Sequence, residues 1–281
     1  MIERVAIIAS PAKNAAVEAL ERVRRFVERH ARVVFAEFTY DARQALPLGP
    51  QLLLVLGGDG TLIAAAHSLA EAQIPIVGVN FGKLGYLAEF SVEQLETEGE
   101  FLFHGELPIT PRVMLDVRLH HDGNDTLRTL AVNDCVVLAG PPYRMIEVFV
   151  RVDGGRVAQI RGDGLIISTA SGSTAHNLSA GGPILEPTSD AFILTPICPH
   201  ALTYRPVVIS SQRRITIEAI TANSGTTAVI DGHHTRPFTV GDTLSISRYR
   251  SDFLLVRNPK RSVWFALRRK LRWGEGPVNH V

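Results

Sequence analysis

The chain has 281 residues, 46% of them hydrophobic, with 29 Lys and Arg against 28 Asp and Glu for a net charge of +1. That length can bury one large core or two modest ones, and so even a charge balance excludes sequence-wide attraction to nucleic acid or to an anionic membrane. Two cysteines in apolar runs, Cys135 and Cys198, no apolar stretch near twenty residues and no basic leader before the first strand lead to one expectation: a soluble, cytoplasmic protein with small buried thiols and no membrane span.

Val5–Ala9 reads as a first strand. The helix expected over Ala15–His30 places Val17, Leu20, Val23, Arg24 and Val27 on one side. Val33–Phe38 and Leu52–Leu56 follow as strands, the second apolar throughout, as in a buried parallel sheet. Directly behind it stands Gly57-Gly58-Asp59-Gly60-Thr61, then a helix to about Ala72 with Leu62, Ala65, Ala66 and Leu69 on its apolar face, then strand Ile76–Val79. Such a strand, glycine turn and helix brings bare backbone N–H groups against a phosphate, and Gly57, Gly58 and Gly60 let the chain turn tightly without a Cβ in the way. Asp59 would repel that phosphate. Its carboxylate fits if a metal lies between them, or if it accepts the proton of a hydroxyl being phosphorylated. The simpler alternative is an Asx-turn.

Past about Thr110 the helical period disappears. Short β-rich runs take over: Val113–Leu119, Ala131–Leu138, Ile146–Val152, Gly164–Ser168, Val207–Ile209, Ile215–Ile220, Ala228–Ile230 and Leu244–Ser247, punctuated by Asp122-Gly123, Asp153-Gly154-Gly155 and Gly241-Asp242. The expected organisation is an α/β N-terminal Rossmann-like domain over residues 1–105, a mostly antiparallel all-β C-terminal domain over 106–254, and a tail over 255–281. In that tail Trp264, Leu267, Leu271 and Trp273 share one helical face and Arg268, Arg269, Lys270 and Arg272 take others. It reads as a helix docking back on the first domain, with a membrane-surface helix as the alternative.

The second domain carries the other dense signal, the hydroxyl- and glycine-rich segment Ser168–Pro183, bracketed by Leu165-Ile166-Ile167 and Ile184-Leu185. A core element would not tolerate so many hydroxyls, because each buried one needs a partner. A rigid loop binding a polyoxygenated ligand, with phosphates and riboses, fits better than a linker.

Gly57–Thr61, then Asn80–Leu87, Asn133-Asp134, Thr169–Pro183 and Asp231-Gly232 resemble, in that order, the NAD kinase family, and Leu267–Gly274 is similar to that family's usual ending. The glycine turn is shared with lipid and sugar kinases; the hydroxyl loop is far more specific. The resemblance implies Mg²⁺-dependent transfer of the ATP γ-phosphoryl group to the 2′-hydroxyl of the adenosine ribose of NAD. Asp59 would be the general base, with Gly60 close to the same ligand and Gly57, Gly58 and Thr61 completing the phosphate turn. An aspartate of pKa near ~3.9 is a weak base for a hydroxyl, but in a loose phosphoryl-transfer transition state orientation outweighs basicity. Asn133 and Asp134 would hold a ribose, or else merely form a turn. Thr174, Ala175, His176, Asn177, Leu178 and Ser179 would enclose the adenine and its ribose. Arg144, Arg161 and Asp163 would touch NAD, Cys198 and His233 would line its adenine side, and Asp163 would reach the nicotinamide end of NAD on a neighbouring subunit of a homo-oligomer (dimer or tetramer). Two positions depart from the family: Ala170, where proline is usual, and His176, where tyrosine is usual. No His, Asp or Glu pair has the tight spacing of a zinc site, so Mg²⁺ carried with the nucleotide is the expected metal. ATP or polyphosphate is the expected donor. A lipid or sugar kinase, or a non-catalytic NAD(P)-binding sensor, is the alternative reading.

Overall fold

The computed structural model describes residues 1–12, 15–81, 85–262 and 264–272. Gly82-Lys83-Leu84 and Trp273-Gly274, which carry part of the resemblance, lie outside the described residues. The chain divides into two compact units, one of residues 1–69, 74–110 and 254 onward, the other of residues 70–73 and 111–253.

The first unit opens with β1 (Arg4–Ala9), α1 (Ala15–Glu28), β2 (Arg32–Phe38), a 3₁₀ turn over Ala42–Leu48, β3 (Leu52–Leu56), α2 (Asp59–Leu69) and β4 (Ile76–Asn80). Strand β1 pairs in parallel with β2 and β3, and β3 with β4. Every residue of β3 is buried, which is why it reads as an unbroken apolar run. The chain continues through β5 (Phe90–Ser91), α3 (Val92–Glu98), a 3₁₀ turn over Gly99–Phe103 and β6 (Ile109–Arg112). A capping box starts α3: Gln94 N–H donates to Ser91 Oγ while Ser91 N–H donates to the Gln94 side chain.

Two helices differ from expectation. The buried stripe of α1 is Ala16, Ala19, Leu20, Val23, Phe26 and Val27, whereas Val17 is 59% exposed. The stripe follows the i, i+3, i+4, i+7 rows from Ala16, and Val17 and Arg24 lie beside it, not within it. Helix α2 stops at Leu69, short of Ala72, because Ala70 turns left-handed at φ +49°.

In the second unit the strands are β7 (Leu115–His121), β8 (Asn124–Ala131), β9 (Asp134–Leu138), β10 (Ile146–Val152), β11 (Gly155–Gly162) and β12 (Gly164–Thr169). A 3₁₀ turn over Ser171–Thr174 and the short helix α4 (His176–Ser179) interrupt them. Then come β13 (Ala191–Ile197), β14 (Val207–Ser210), β15 (Ile215–Thr221), β16 (Thr227–Ile230), β17 (His234–Pro237) and β18 (Asp242–Arg248). Two six-stranded sheets result, ordered β11-β10-β15-β18-β7-β8 and β14-β13-β12-β9-β16-β17. Their pairings are antiparallel. Val117, Val148 and Ile217 of one sheet and Val137, Ile167 and Ala228 of the other share one apolar core. The run expected over Ala131–Leu138 is broken at Val132-Asn133, where β8 ends and β9 begins.

The last strand, β19 (Phe253–Val256), joins the first sheet beside β4, giving the order β2-β1-β3-β4-β19-β6 with β5 also on β4. Helix α5 (Phe265–Leu271) follows, and its Lys270 Nζ lies 4.3 Å from the centroid of the Tyr86 ring in the same unit. Trp264 caps that helix and is 52% exposed, while Leu267 and Leu271 are half-buried. No described helix is long and apolar enough to cross a membrane.

Candidate active site

Asp59 is the first residue of α2, so its carboxylate stands where the helix dipole favours a negative charge. The carboxylate is fully engaged in position. Oδ2 accepts from Tyr86 N–H at 2.8 Å, and Oδ1 accepts from Leu87 N–H at 3.0 Å and Ala88 N–H at 3.2 Å. A carboxylate offers about four acceptor positions, so three fixed donors leave one for a substrate hydroxyl. Gly85 makes the clasp possible: a Cβ there would lie 1.8 Å from Asp59 Oδ1. Burial, and then the charge of Asp59, also raise the pKa of the Tyr86 hydroxyl.

The three glycines beside Asp59 act through space rather than through backbone conformation, for none of them has positive φ. A Cβ at Gly57 would strike Thr61 Oγ1 at 2.3 Å, while Gly58 and Gly60 border open space. The N–H groups of Asp59 and Gly60, in the first turn, have no preceding helical carbonyl to bond and remain donors for an anion.

In the second unit the focus is a pair of acids. Asp231, in the left-handed region at φ +47° just after β16, reaches back to the break between β8 and β9. Its Oδ2 accepts from Val132 N–H at 2.7 Å, and its Oδ1 accepts from Asn133 N–H at 2.7 Å and Asp134 N–H at 3.0 Å. Asn133 and Asp134 are therefore held on a rigid corner. The Asp134 carboxyl is 4% exposed. Burial first, and then the charge of Asp231, push it up to about 7. Burial likewise raises the Cys135 thiol, which keeps it protonated and inert.

The hydroxyl loop is built on the same corner. Thr169 Oγ1 donates to Val132 O at 2.7 Å and accepts from Gly172 N–H at 3.0 Å. Gly172 packs so close that a Cβ would lie 2.1 Å from Asn133 O. Asn177 holds the loop from within. It is completely buried, its Nδ2 donates to Ser173 O and Pro183 O at 3.1 Å each, and its Oδ1 accepts from Thr195 Oγ1 at 2.6 Å. Its side chain closes the loop: both Nδ2 hydrogens and one lone pair of Oδ1 are used inside the protein. His176 and Ser179 are exposed, while Thr174, Ala175 and Leu178 are half-buried.

Arg161 and Asp163 do not sit on a solvated turn. Asp163 is the single residue between β11 of one sheet and β12 of the other, its N–H donating to Ile197 O at 3.0 Å and its carbonyl accepting from Ala139 N–H at 2.8 Å. Gly162 and Gly164 flank it because a Cβ would lie 2.8 Å from Ile197 O and 2.2 Å from Val137 O respectively. Arg161 is exposed and Asp163 half-buried. Cys198 is exposed rather than buried, since it leaves the end of β13 at φ +43°. His233 is exposed, its Nδ1 donating to Asp231 O at 2.5 Å, and Arg144 is exposed in the loop after β9.

Sequence reasoning took Asp231 only as part of a motif and missed its grip on Asn133-Asp134, and it missed the dependence of Asp59 on Gly85. Neither has a local signal, because the partners are 97 and 26 residues apart.

A parallel α/β unit with an acid clasped at a glycine-flanked helix start, in one chain with a β unit carrying a buried acid pair and a hydroxyl loop, defines a phosphotransferase that uses nucleotides. The comparisons agree. The ATP-NAD kinase N-terminal domain matches residues 29–107 and the ATP-NAD kinase C-terminal domain residues 132–258. The NAD kinase of Rhodopirellula baltica is 36% identical over 272 residues, 96% of this chain and 86% of that protein. That of Acidobacterium capsulatum is 37% identical over 284 residues, 98% of this chain and 100% of that protein. Among solved structures, an NAD kinase from Archaeoglobus fulgidus in complex with ATP aligns with TM-score 0.73 at 30% identity, over 92% of this chain and 94% of that one. Yeast NADH kinase complexed with NADH shares the fold at TM-score 0.86 and 22% identity, over 100% of this chain and 90% of that one. The chain belongs to the ATP-NAD kinase family.

Proposed function

We propose that the chain transfers the γ-phosphoryl group of ATP to the 2′-hydroxyl of the adenosine ribose of NAD, forming NADP and ADP. The observation that carries the reading is the Asp59 carboxylate, clasped by three N–H groups with one acceptor position left. That position takes the hydrogen bond, and then the proton, of the 2′-hydroxyl as its oxygen bonds to the γ-phosphorus and ADP departs. A clasped carboxylate needs no reorientation during this step, and in a loose transition state positioning is most of what a base supplies.

Asn133 and Asp134 hold a ribose through its hydroxyls, on the corner that Asp231 fixes. Thr174–Ser179 surround the adenine, with His176 stacking and Asn177 holding the loop. Cys198 and His233 line the adenine side of NAD, and Arg144, Arg161 and Asp163 contact the rest of the dinucleotide. Mg²⁺ arrives with ATP as part of the substrate. Asp59, three of whose acceptor positions are filled, is a poor cation ligand, so the phosphates and water are left to coordinate the ion. The active form is a cytoplasmic homo-oligomer, a dimer or tetramer, in which Asp163 serves the NAD of a neighbouring subunit.

Incubation with NAD, ATP and Mg²⁺ tests the reading: NADP should accumulate, and no NADP with either ATP or polyphosphate would overturn it. For the oligomer, an Asp59→Asn chain reassociated with an Asp163→Ala chain should regain activity. A fully active monomer at assay concentration would end that part.

A further inference from the structure

We propose that the first unit carries a transition-metal site, formed by His30, Glu100 and His104, that takes Zn²⁺ and staples the end of α1 to the 3₁₀ turn that follows α3. One ligand atom from each side chain lies within 4.8 Å of the others. His30 follows the last turn of α1, and Glu100 and His104 stand at the two ends of the 3₁₀ turn Gly99–Phe103. The site owes nothing to the residues assigned to NAD or ATP.

The set has an ordered half and an adjustable half. The half-buried His30 ring stacks on Phe103 with centroids 4.9 Å apart and planes at 13°. Phe103 is 1% exposed and packs in turn against Phe26 at 5.9 Å, so His30 is oriented by the core. The His104 ring stands edge-on to His30 at 6.4 Å, and its Nε2 is 3.8 Å from Glu100 Oε1. Both of these side chains are exposed and free to rotate. Tetrahedral zinc bonds of about 2.0–2.1 Å put its ligand atoms roughly 3.3 Å apart. Closing from the observed spacing therefore needs small rotations of Glu100 and His104 about their own bonds.

The donor set decides the ion. Two imidazoles and one carboxylate match zinc, nickel or copper, and leave a fourth position for water, whereas Mg²⁺ prefers oxygen alone. A millimolar Mg²⁺ supply for ATP would not fill the site. Arg29 places its guanidinium 5.4 Å from the centroid of the Phe26 ring, which itself lies 5.2 Å from the His30 ring. Without a metal, Glu100 and His104 share only an exposed 3.8 Å contact that is ionic when His104 is protonated.

The test uses the full chain after chelator treatment. Co²⁺ alone is titrated while the visible d–d absorption of a tetrahedral centre is followed, and Zn²⁺ alone is titrated by calorimetry. One ion per chain should bind, Zn²⁺ should displace Co²⁺ and bleach the band, and Zn²⁺ should raise the unfolding temperature. His104→Gln, at an exposed position where folding is not at stake, should weaken binding at least tenfold and abolish the thermal shift. Glu100→Gln should weaken it less. Substoichiometric binding, or an unchanged titration in His104→Gln, would overturn the proposal, whatever the NADP assay reads.

Discussion

Replacing Asp134 by asparagine separates what the acid pair costs in stability from what it does. The Asp134 carboxyl sits at about 7 instead of the usual ~3.9, so its ionised form is disfavoured by about 4 kcal/mol in the folded state. Because the folded pKa is the raised one, this group's contribution to stability is intact below pH ~3.9, is lost as pH rises through about 7, and is constant above that. At pH 5 the loss is about 1–2 kcal/mol and at pH 8 about 4 kcal/mol. Asp134→Asn keeps the shape and removes the titration. The advantage of the variant over the parent should thus grow by about 2–3 kcal/mol between pH 5 and pH 8, or ~5–10 °C in unfolding temperature for a unit of this size. The same variant should raise KM for NAD, because an amide accepts ribose hydroxyls with one oxygen instead of two. Thermal unfolding of both proteins at pH 5, 6.5 and 8, with KM measured alongside, provides the check. Parallel melting profiles across that range would show that Asp231 and burial exert no such pressure on Asp134.

Asp59→Asn should lower kcat by about 10²–10⁴-fold while NAD still binds by calorimetry; near-normal turnover would make Asp59 structural. Gly85→Ala should reduce kcat without touching a substrate-binding side chain, since the new Cβ must expel the Asp59 carboxylate from its three donors, and an unaltered kcat would show that the clasp is dispensable. His176→Ala should raise KM for NAD roughly fivefold or more if its ring stacks on the base, with His176→Tyr tolerated; an unchanged KM in the alanine variant removes it from the site. Asn177→Ala leaves buried Thr195 Oγ1 and two carbonyls unpaired, and should destabilise by about 2–4 kcal/mol in urea unfolding, which a loss under 1 kcal/mol would contradict.

The parts legible in the sequence are those whose signal is local. Leu52–Leu56 announces a strand buried on both faces, and Gly57–Thr61 behind it announces a helix start with an acid. Strands β8, β11 and β17 escaped because much of each faces outward, so no apolar run marks them. The loop-closing part played by Asn177 was missed for a related reason: an amide among serines shows its bonds to Ser173, Pro183 and Thr195 only once the loop is folded. Cys198 was misplaced because Ile197 before it is apolar, yet the chain leaves the sheet there with a left-handed residue. The grip of Asp231 on Val132–Asp134 is a long-range fact, visible only once β16 is paired with β9.

The junction at Asp163 has a consequence for how this chain can vary. The hairpin between β7 and β8 ends in slack: Asp122 and Gly123 have positive φ, and a Cβ at Gly123 would meet nothing. Residues can be added there at the cost of loop entropy, which grows slowly with length. Between β11 and β12 there is one residue, both of its backbone groups are bonded, and the glycines on either side lie against neighbouring carbonyls. One inserted residue would turn every side chain of β12 to the opposite face, driving Leu165 and Ile167 out of the core. An insertion is therefore tolerated at Asp122-Gly123 and not beside Asp163, and the acid keeps its spacing from the hydroxyl loop because the strand between them is buried along its whole length.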